Sequence, residues 1–339
     1  MFKLHLLLLV FFLGCAKTGI LNFKEFHYAA FPKRVVWIQV PGFLEEHISF
    51  QKVINVNNLA KNSFEEANCM GKMWNYNLFK LRPTAFEGSL AQLVGKKNIS
   101  NTCIDTKQTP IWKFLQKSGY KAAILEQVFD KKDSLLKLQE CPLEANEQNF
   151  LHNTIFWSMS DPKSSQSLKF HRQESQNYED NQVYFDKSCQ NGHCFSDINS
   201  NAIYTFKDFA RKNPFYVYII RDFGLSESIK GKKVDQIREK ILELDKLFHF
   251  FIEKAKEDKE LLILLSSTAG MNLEFPTDGK DWINFETKGE NLLFKNSSLL
   301  NPVFSFGARA ENFCGLFEEA ELMPRILFNS RKDMPENVN

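Results

Sequence analysis

The sequence predicts an α/β fold built on a mostly parallel central sheet. Residues 34–40, RVVWIQV, form a near-continuous apolar run rich in β-branched and aromatic residues, which is typical of a strand buried on both faces. Residues 260–271, ELLILLSSTAGM, contain a second such run, which breaks into small polar residues and a glycine. Before it, residues 234–255 place apolar side chains on one stripe at helical spacing. Because the loops leaving the carboxyl ends of parallel strands carry the chemistry of such sheets, the loop after the second run is a candidate site.

The composition is that of an ordinary globular protein. The chain has 339 residues, of which 43% are hydrophobic and 25% charged, and this fits one large domain or one domain with a small appendage. The formal net charge is +2 and no basic stripe is present. We therefore expect no nucleic-acid partner.

The amino-terminal segment indicates export. Lys3 precedes an apolar run from Leu6 to Leu13, which is far shorter than the ~20 apolar residues of a transmembrane helix. The ending FLGC resembles the bacterial lipobox, whose cysteine is acylated and becomes the mature amino terminus. We therefore expect a lipoprotein signal peptide at 1–14, a lipid anchor on Cys15 and a tether at 15–33. This predicts a membrane-anchored protein on the periplasmic or outer-membrane face. The alternative is simple secretion, with Cys15 discarded or spare.

Six of the seven cysteines remain when Cys15 is set aside, and export makes them candidates for disulfides. They are Cys69, Cys103, Cys141, Cys189, Cys194 and Cys314. Cys189 and Cys194 flank a short turn and can pair across it. A zinc knuckle that uses Cys189, His193 and Cys194 is the alternative, although it lacks an obvious fourth ligand. Nearby, residues 161–200 are rich in Ser, Gln, Asn and Asp, so we expect a polar surface insertion there.

Several motifs, in order along the chain, resemble the alkaline phosphatase superfamily, which includes the sulfatases and nucleotide pyrophosphatases. Residues 109–129, TPIWKFLQKSGYKAAILEQVF, resemble its helix–strand unit, and residues 213–222, NPFYVYIIRD, resemble its Pro-Phe-Phe strand. Residues 301–307, NPVFSFG, and 321–327, ELMPRIL, resemble its late strand and closing helix. The resemblance implies a three-layer sandwich with a central, mostly parallel sheet, in a domain at 34–330 followed by a tail at 331–339.

The same resemblance implies that metal ligands have been lost. In the family the first strand ends in an aspartate that binds metal, and a later loop reads Thr-Ser-Asp-His-Gly-Met, whose Asp and His bind metal. Here Pro41 occupies the first position, while Thr268 and Ala269 occupy the other two. Proline and alanine offer no side-chain ligand. In addition, no histidine follows position 249, where active members have one more ligand.

Residues 81–96, LRPTAFEGSLAQLVGK, resemble the loop and helix that carry the family's nucleophile. The nucleophile position falls on Ala85, and Thr84 beside it is a candidate nucleophile at the positive end of a helix. Alternatively, Thr84 and Glu87 form a capping box. The Cys-x-Pro-Ser-Arg signature of sulfatases is absent.

Three residues near the first strand are weak candidates for replacement metal ligands. They are Glu45, Glu46 and His47, which otherwise form a solvated helix start with favourable dipole interactions. Arg221, at the end of a predicted strand, either binds an anion or forms a surface ion pair.

These patterns lead to two functional hypotheses. The first is a catalytically degenerate, sulfatase- or phosphatase-like exported lipoprotein, a pseudoenzyme with a binding or scaffolding role at the cell envelope. It needs no cofactor, and its former cleft takes an anionic or glycan ligand. The alternative is an active hydrolase of phosphate or sulfate esters, or an envelope glycolipid transferase, with Thr84 as nucleophile. The alternative requires two divalent metal ions, which could be zinc, manganese or calcium.

Overall fold

The computed structural model describes residues 32–54, 62–142, 149–162, 164–174, 176–274, 276–290 and 298–327. The predicted signal peptide, Cys15, most of the predicted tether and the predicted tail lie outside these residues.

A ten-stranded sheet forms the centre of the molecule, with the strand order β12-β2-β11-β10-β1-β9-β3-β4-β6-β5. Every pairing in it is parallel except the two made by β11. The predicted mostly parallel sheet is therefore confirmed. The strands are β1 (Arg34–Gln39), β2 (Cys69–Trp74), β3 (Lys121–Gln127), β4 (Thr154–Ser158), β5 (Lys169–Phe170), β6 (Gln182–Asp186), β9 (Tyr216–Asp222), β10 (Leu261–Ser266), β11 (Leu300–Gly307) and β12 (Gly315–Glu318), with a separate hairpin of β7 (Cys189–Gln190) and β8 (His193–Cys194).

Helices cover both faces of this sheet. They are α1 (Glu45–Ile54), α2 (Ala85–Val94), α3 (Ile111–Gln116), α4 (Ile198–Lys212), α5 (Gly224–Lys230), α6 (Val234–Glu257), α7 (Gly279–Lys288) and α8 (Leu322–Leu327). Short 3₁₀ helices lie at Ser63–Glu66, Cys103–Lys107, Lys131–Asp133, Leu135–Glu140, Ala310–Phe313 and Glu319–Glu321. Within the described ranges, no helix combines the length and the apolar character that crossing a bilayer requires.

Strand β1 shows how the sequence builds a core on each face. Val36 and Ile38 point into the core under α1, α4 and α6, whereas Val35 and Trp37 point into the core under α2, α3 and α8. Because side chains alternate along a strand, a continuous apolar run buries both faces. The long helix α6 buries its predicted stripe, with Ile237 and other side chains in the first core. The three-layer architecture is confirmed.

The stretch at 161–200 differs from the predicted surface insertion. Strand β6 extends the sheet by pairing with β4, and β5 pairs with β6. Phe170 and Tyr184 are buried there, with 0% and 5% of their surface exposed. The apolar runs in this stretch are only a few residues long and lie among polar residues, so the sequence pattern did not indicate the last two strands of the sheet.

Three disulfides join the six cysteines, so the predicted disulfides are present: Cys69–Cys314, Cys103–Cys141 and Cys189–Cys194. The last one spans the β7–β8 hairpin, and both sulfurs of the alternative zinc knuckle are used in it.

Candidate functional site

A row of polar side chains crosses the sheet near the carboxyl ends of its central strands. Ser266, Gln39, Arg221 and Glu126 are register partners on the adjacent strands β10, β1, β9 and β3. All four are buried, with at most 1% of their surface exposed. The residues two positions earlier in each strand belong to the core under α2, so the whole row faces that helix.

Gln92 of α2 connects this row to the loop after β10 and to Glu319. Its Oε1 accepts hydrogen bonds from Gln39 Nε2 at 3.0 Å and from Ser266 Oγ at 2.7 Å. Its Nε2 donates to Ser267 O at 2.9 Å and to Glu319 Oε1 at 2.7 Å. The Gln92 amide therefore uses both its donor and its acceptor capacity inside the protein. We call Ser266, Gln39, Arg221, Glu126, Gln92 and Glu319 the buried polar network.

Arg221 and Glu126 form a fully buried ion pair within this network. Arg221 Nε also donates to Gln39 Oε1 at 3.3 Å, and Glu126 Oε2 accepts from Leu135 N at 3.1 Å. A buried charge is tolerated only when it is paired and hydrogen-bonded, and both charges meet this condition. The expected surface ion pair of Arg221 is therefore wrong. The pair is buried, and the partner lies on the neighbouring strand β3 and not next to Arg221 in the sequence.

Glu319 supplies the second carboxylate of the network. It lies on the short 3₁₀ helix before α8 and is 2% exposed. Burial raises the pKa of the Glu319 carboxyl to about 7, against the opposing effects of the Thr268 and Gln92 side chains. This carboxyl can therefore hold a proton near neutral pH, which an ordinary glutamate does not.

The close approach of α2 to the loop after β10 depends on Gly88. A Cβ atom added at Gly88 would lie 1.8 Å from Thr268 Oγ1, 2.9 Å from Thr268 Cβ and 3.2 Å from Glu319 Oε1. Thr268 is itself buried, with 1% exposed. The threonine that stands at a predicted ligand position is thus packed against the helix.

Ala85 and Ala269, which stand at the predicted nucleophile and histidine positions, belong to the same apolar cluster. Ala85, at the start of α2, packs with Ala269 and Phe223 in a small buried cluster. Ala269 is fully buried and has a left-handed backbone with φ of 52°. Pro41, at the end of β1, is also buried. Two of the positions that resemble the family's catalytic centre, Ala85 and Ala269, are therefore in the same cluster, and both carry only a methyl group.

Backbone hydrogen bonds fix the two loops that carry these positions. Gly42 N donates to Thr268 O at 2.8 Å, and Met271 N donates back to Gly42 O at 3.1 Å. Ser267 Oγ donates to Phe43 O at 2.6 Å. The loops after β1 and β10 therefore form one unit whose polar groups bond to each other.

The donor set at this edge of the sheet does not fit a pair of divalent metals. Such metals take carboxylate and imidazole ligands. Here Glu126 is engaged by Arg221, Glu319 accepts from Gln92, and Asp222 Oδ1 accepts from Gly224 N at 2.8 Å. Among the residues that the structure describes, no three His, Cys, Asp or Glu side chains lie close enough to share an ion.

The weak ligand candidates near β1 do not converge either. Glu45 pairs with Lys72 at 2.8 Å, and Glu46 is exposed. His47 is fully buried, and its Nδ1 accepts from Leu44 N at 2.9 Å. Burial lowers the pKa of His47 to about 4. These residues start α1, on the face of the sheet opposite to α2.

Thr84 caps α2. Its Oγ1 accepts from Glu87 N at 3.2 Å, while Glu87 Oε2 accepts from Thr84 N at 2.7 Å, so the capping box is present. The cap occupies the hydroxyl as an acceptor and leaves its proton available. A role of Thr84 as nucleophile stays a prediction.

A cleft of about 330 Å³ lies away from this edge, near the starts of β3 and β4. Its walls include Trp157, Tyr178 and Phe209. The lysines beside it are already paired, Lys121 with Asp180 at 2.5 Å and Lys212 with Asp208 at 2.8 Å.

Sequence reasoning missed most of the buried polar network. Gln39, Glu126 and Arg221 each interrupt an apolar strand run near its end, and this was a usable signal for polar side chains at one level of a sheet. Gln92 and Glu319 gave no comparable signal, because a polar residue in a helix or after a turn is usually solvated.

Comparisons with known proteins show the fold. The alkaline phosphatase from the Antarctic bacterium TAB5 superposes with a TM-score of 0.63 at 12% identity, over 90% of this chain and 100% of that chain. Thermus thermophilus alkaline phosphatase gives a TM-score of 0.67 at 9% identity, over 91% and 93%. The lipoteichoic acid synthase LtaP from Listeria monocytogenes gives 0.51 at 11% identity, over 88% and 72%. No family model matches the sequence, and no curated protein matches it. The chain therefore has the alkaline phosphatase fold.

Proposed function

We propose that this chain is a catalytically degenerate, exported lipoprotein with the alkaline phosphatase fold and a binding or scaffolding role at the cell envelope. The observation that carries the proposal is the chemistry at the family's catalytic positions. Ala85 and Ala269 contact Phe223 in a buried apolar cluster, where the fold's enzymes need a nucleophile and a metal ligand. A two-metal mechanism clamps the attacking and leaving oxygens between charged ligands, and these side chains supply none.

The buried polar network further supports this proposal. Its four strand side chains face α2, the helix that would carry the nucleophile, and Gln92 of that helix bonds to two of them. Freeing Glu126 to serve as a ligand would leave Arg221 as an uncompensated buried charge, at a cost of about 3–5 kcal/mol. The network therefore holds α2 against the sheet. Because its side chains bond to one another, we place the binding role at the surface of the protein. As candidate ligands we keep the anionic and glycan groups that the resemblance implies.

The envelope location rests on the amino-terminal sequence. An acyl chain on Cys15 would hold the protein at the membrane. Mass spectrometry of the mature amino-terminal peptide tests this part, with Cys15→Ser as the variant that should lose the modification. An unmodified mature amino terminus beyond Cys15 would instead support simple secretion without a lipid anchor.

The catalytic part of the proposal is tested by a panel of phosphate and sulfate esters of 4-nitrophenol, assayed with added zinc, manganese or calcium. We expect no hydrolysis above background from the wild-type protein or from Thr84→Ala. Hydrolysis by the wild type that Thr84→Ala abolishes and Thr84→Ser retains would establish the alternative, an active ester hydrolase with Thr84 as its nucleophile.

A further inference from the structure

An acceptor pattern for N-linked glycosylation lies in the loop after α2. Residues 98–100, Asn-Ile-Ser, match Asn-x-Ser/Thr with a middle residue other than proline. In an exported chain such an asparagine can carry a glycan, provided that its side chain lies on the surface of the folded protein. The pattern also arises by chance, so the structure around Asn98 is the relevant evidence. A further match begins at Asn296, which lies outside the described residues.

Asn98 is exposed, and its side chain is free to carry a substituent. Among the residues that the structure describes, none forms a hydrogen bond with the Asn98 amide. The next residue, Ile99, is fully buried in the core under α2. The acceptor asparagine is therefore held at the surface by a neighbour that is anchored in the core.

Hydrogen bonds fix the backbone that follows Asn98. The buried Asn77 donates through its Nδ2 to Ile99 O at 3.1 Å. Ser100 N donates to Asp105 Oδ1 at 3.0 Å. None of these bonds uses the Asn98 side chain, so a glycan on its nitrogen would leave all of them in place. The exposure of Asn98 is thus a property of the fold.

A second asparagine in the same loop provides a contrast. Asn101 is exposed as well, but its Oδ1 accepts a hydrogen bond from Lys137 Nζ at 2.5 Å. In addition, Cys103 stands where the pattern requires serine or threonine, and its sulfur is joined to Cys141. Asn101 therefore lacks both the free amide and the hydroxyl residue that Asn98 has.

We propose that Asn98 carries an N-linked glycan in the exported protein. The reaction joins the Asn98 side-chain nitrogen to C1 of the first sugar of an oligosaccharide that is linked to a lipid pyrophosphate. The bond between nitrogen and C1 forms while the bond between C1 and the pyrophosphate oxygen breaks. The lipid pyrophosphate leaves, and the amide nitrogen releases one proton to solvent. The inference rests on the export that the proposed function includes, but not on the acylation of Cys15 or on the loss of catalysis.

The test is peptide mass spectrometry of the full-length gene product, purified from the cells that export it. Peptide N-glycosidase is applied in water enriched in heavy oxygen, because it converts a glycosylated asparagine into an aspartate that carries this label. We expect the label at Asn98 and none at Asn101. Recovery of the Asn98 peptide only in its unmodified, unlabelled form would overturn the proposal.

Variants of the same loop control for the site. Asn98→Gln and Ser100→Ala should both lose the glycan at this position, whereas Ser100→Thr and Asn101→Gln should keep it. Ser100 Oγ also donates to Asp105 Oδ1 at 3.0 Å, so Ser100→Ala is compared with Asn98→Gln, which removes no hydrogen bond of the described residues. A glycan on the 98–100 peptide that persists in Ser100→Ala would contradict the assignment to this pattern.

The same measurements separate this inference from the lipid anchor. A labelled Asn98 in a protein without an acyl group on Cys15 would support the glycan and contradict the anchor. An acylated Cys15 with Asn98 unmodified in every chain would support the anchor and overturn the glycan.

Discussion

At the scale of single residues, the buried polar network joins α2 and the segment before α8 to the central strands. Gln92 is the central member, because one amide group satisfies a strand side chain, a loop carbonyl and a carboxylate. Buried polar groups that are all satisfied rigidify a core, whereas one unsatisfied member costs about 1–3 kcal/mol. Glu319 is the member whose charge is set by pH.

Glu319→Gln should change how stability depends on pH. In the folded protein burial raises the carboxyl pKa from 4.5 to about 7, so between these values the folded state binds more protons than the unfolded state. The contribution of this group to the free energy of unfolding therefore falls as pH rises through this window. The shift corresponds to about 3 kcal/mol. Relative to the wild type, Glu319→Gln should gain about this much between pH 4.5 and pH 8, as measured by urea unfolding at several pH values.

The contribution of His47 has the opposite sign, since its lowered pKa makes stability fall as pH drops from 6.5 towards 4. It cancels when Glu319→Gln is compared with the wild type. Glu311→Gln, which removes an exposed carboxylate, is the matched control and should follow the wild-type profile. Parallel profiles for wild type and Glu319→Gln would mean that the buried carboxyl is not perturbed.

At the scale of secondary-structure elements, the contact between α2 and the loop after β10 determines how tightly the candidate site is packed. Gly88 allows this contact and Thr84 fixes where the helix starts. The loop after β1 is tied to the loop after β10 by backbone hydrogen bonds. These elements have the arrangement that the resemblance implies, but their side chains pack against each other and fill the space between them.

Gly88→Ala should destabilise the protein although alanine favours helices. Helix propensity alone would give a gain of about 1 kcal/mol, but the added methyl group would overlap the buried Thr268 side chain. We expect a net loss of about 1–3 kcal/mol, as for other overpacked cores. Thermal or urea unfolding measures it.

The control for this substitution is Gly279→Ala at the start of α7, where an added Cβ meets no atom within 4 Å. It should be neutral or slightly stabilising. The double variant Gly88→Ala, Thr268→Ala should recover part of the loss, because the overlapping hydroxyl is gone. A Gly88→Ala protein as stable as the wild type would show that the helix and loop are not in tight contact.

The elements themselves were largely predictable, and the site was predictable only in part. Strands β1 and β10 and helix α6 were evident from apolar runs and helical spacing, because burial dictates those patterns directly. The antiparallel direction of β11 and the strands β5 and β6 were not, since direction and pairing depend on distant parts of the chain. The unusual residues Pro41, Ala85, Thr268 and Ala269 were found by resemblance. The contact of Ala85 and Ala269 with Phe223, and the hydrogen bond between Gln92 and Glu319, required the fold.

At the scale of the whole molecule, one covalent link ties strands that are far apart in the sequence. Cys69–Cys314 closes a loop of 245 residues and joins the beginning of β2 to the segment before β12. Cys189–Cys194 closes a loop of only 5 residues. A disulfide stabilises mainly by restricting the unfolded chain, and the effect grows with loop length.

Removal of these two disulfides should therefore have unequal effects. The Cys69→Ala, Cys314→Ala variant should lose up to about 5 kcal/mol in the free energy of unfolding, and the Cys189→Ala, Cys194→Ala variant about 2 kcal/mol. Urea unfolding of both variants under oxidising conditions measures this difference. Equal losses would indicate that native-state packing, and not loop closure, determines the contribution of each disulfide.

The central claim is that the fold of a metal-dependent enzyme is retained here without the side chains that hold the metals. Its most direct test is the metal content of the purified mature protein, measured by mass spectrometry after exposure to zinc, manganese and calcium and removal of free ions. An active alkaline phosphatase treated in the same way is the positive control. We expect far less than one ion per chain for this protein, because its donors at the carboxyl edge are already bonded to each other. One or two tightly held ions per chain would contradict the account and would favour an active ester hydrolase.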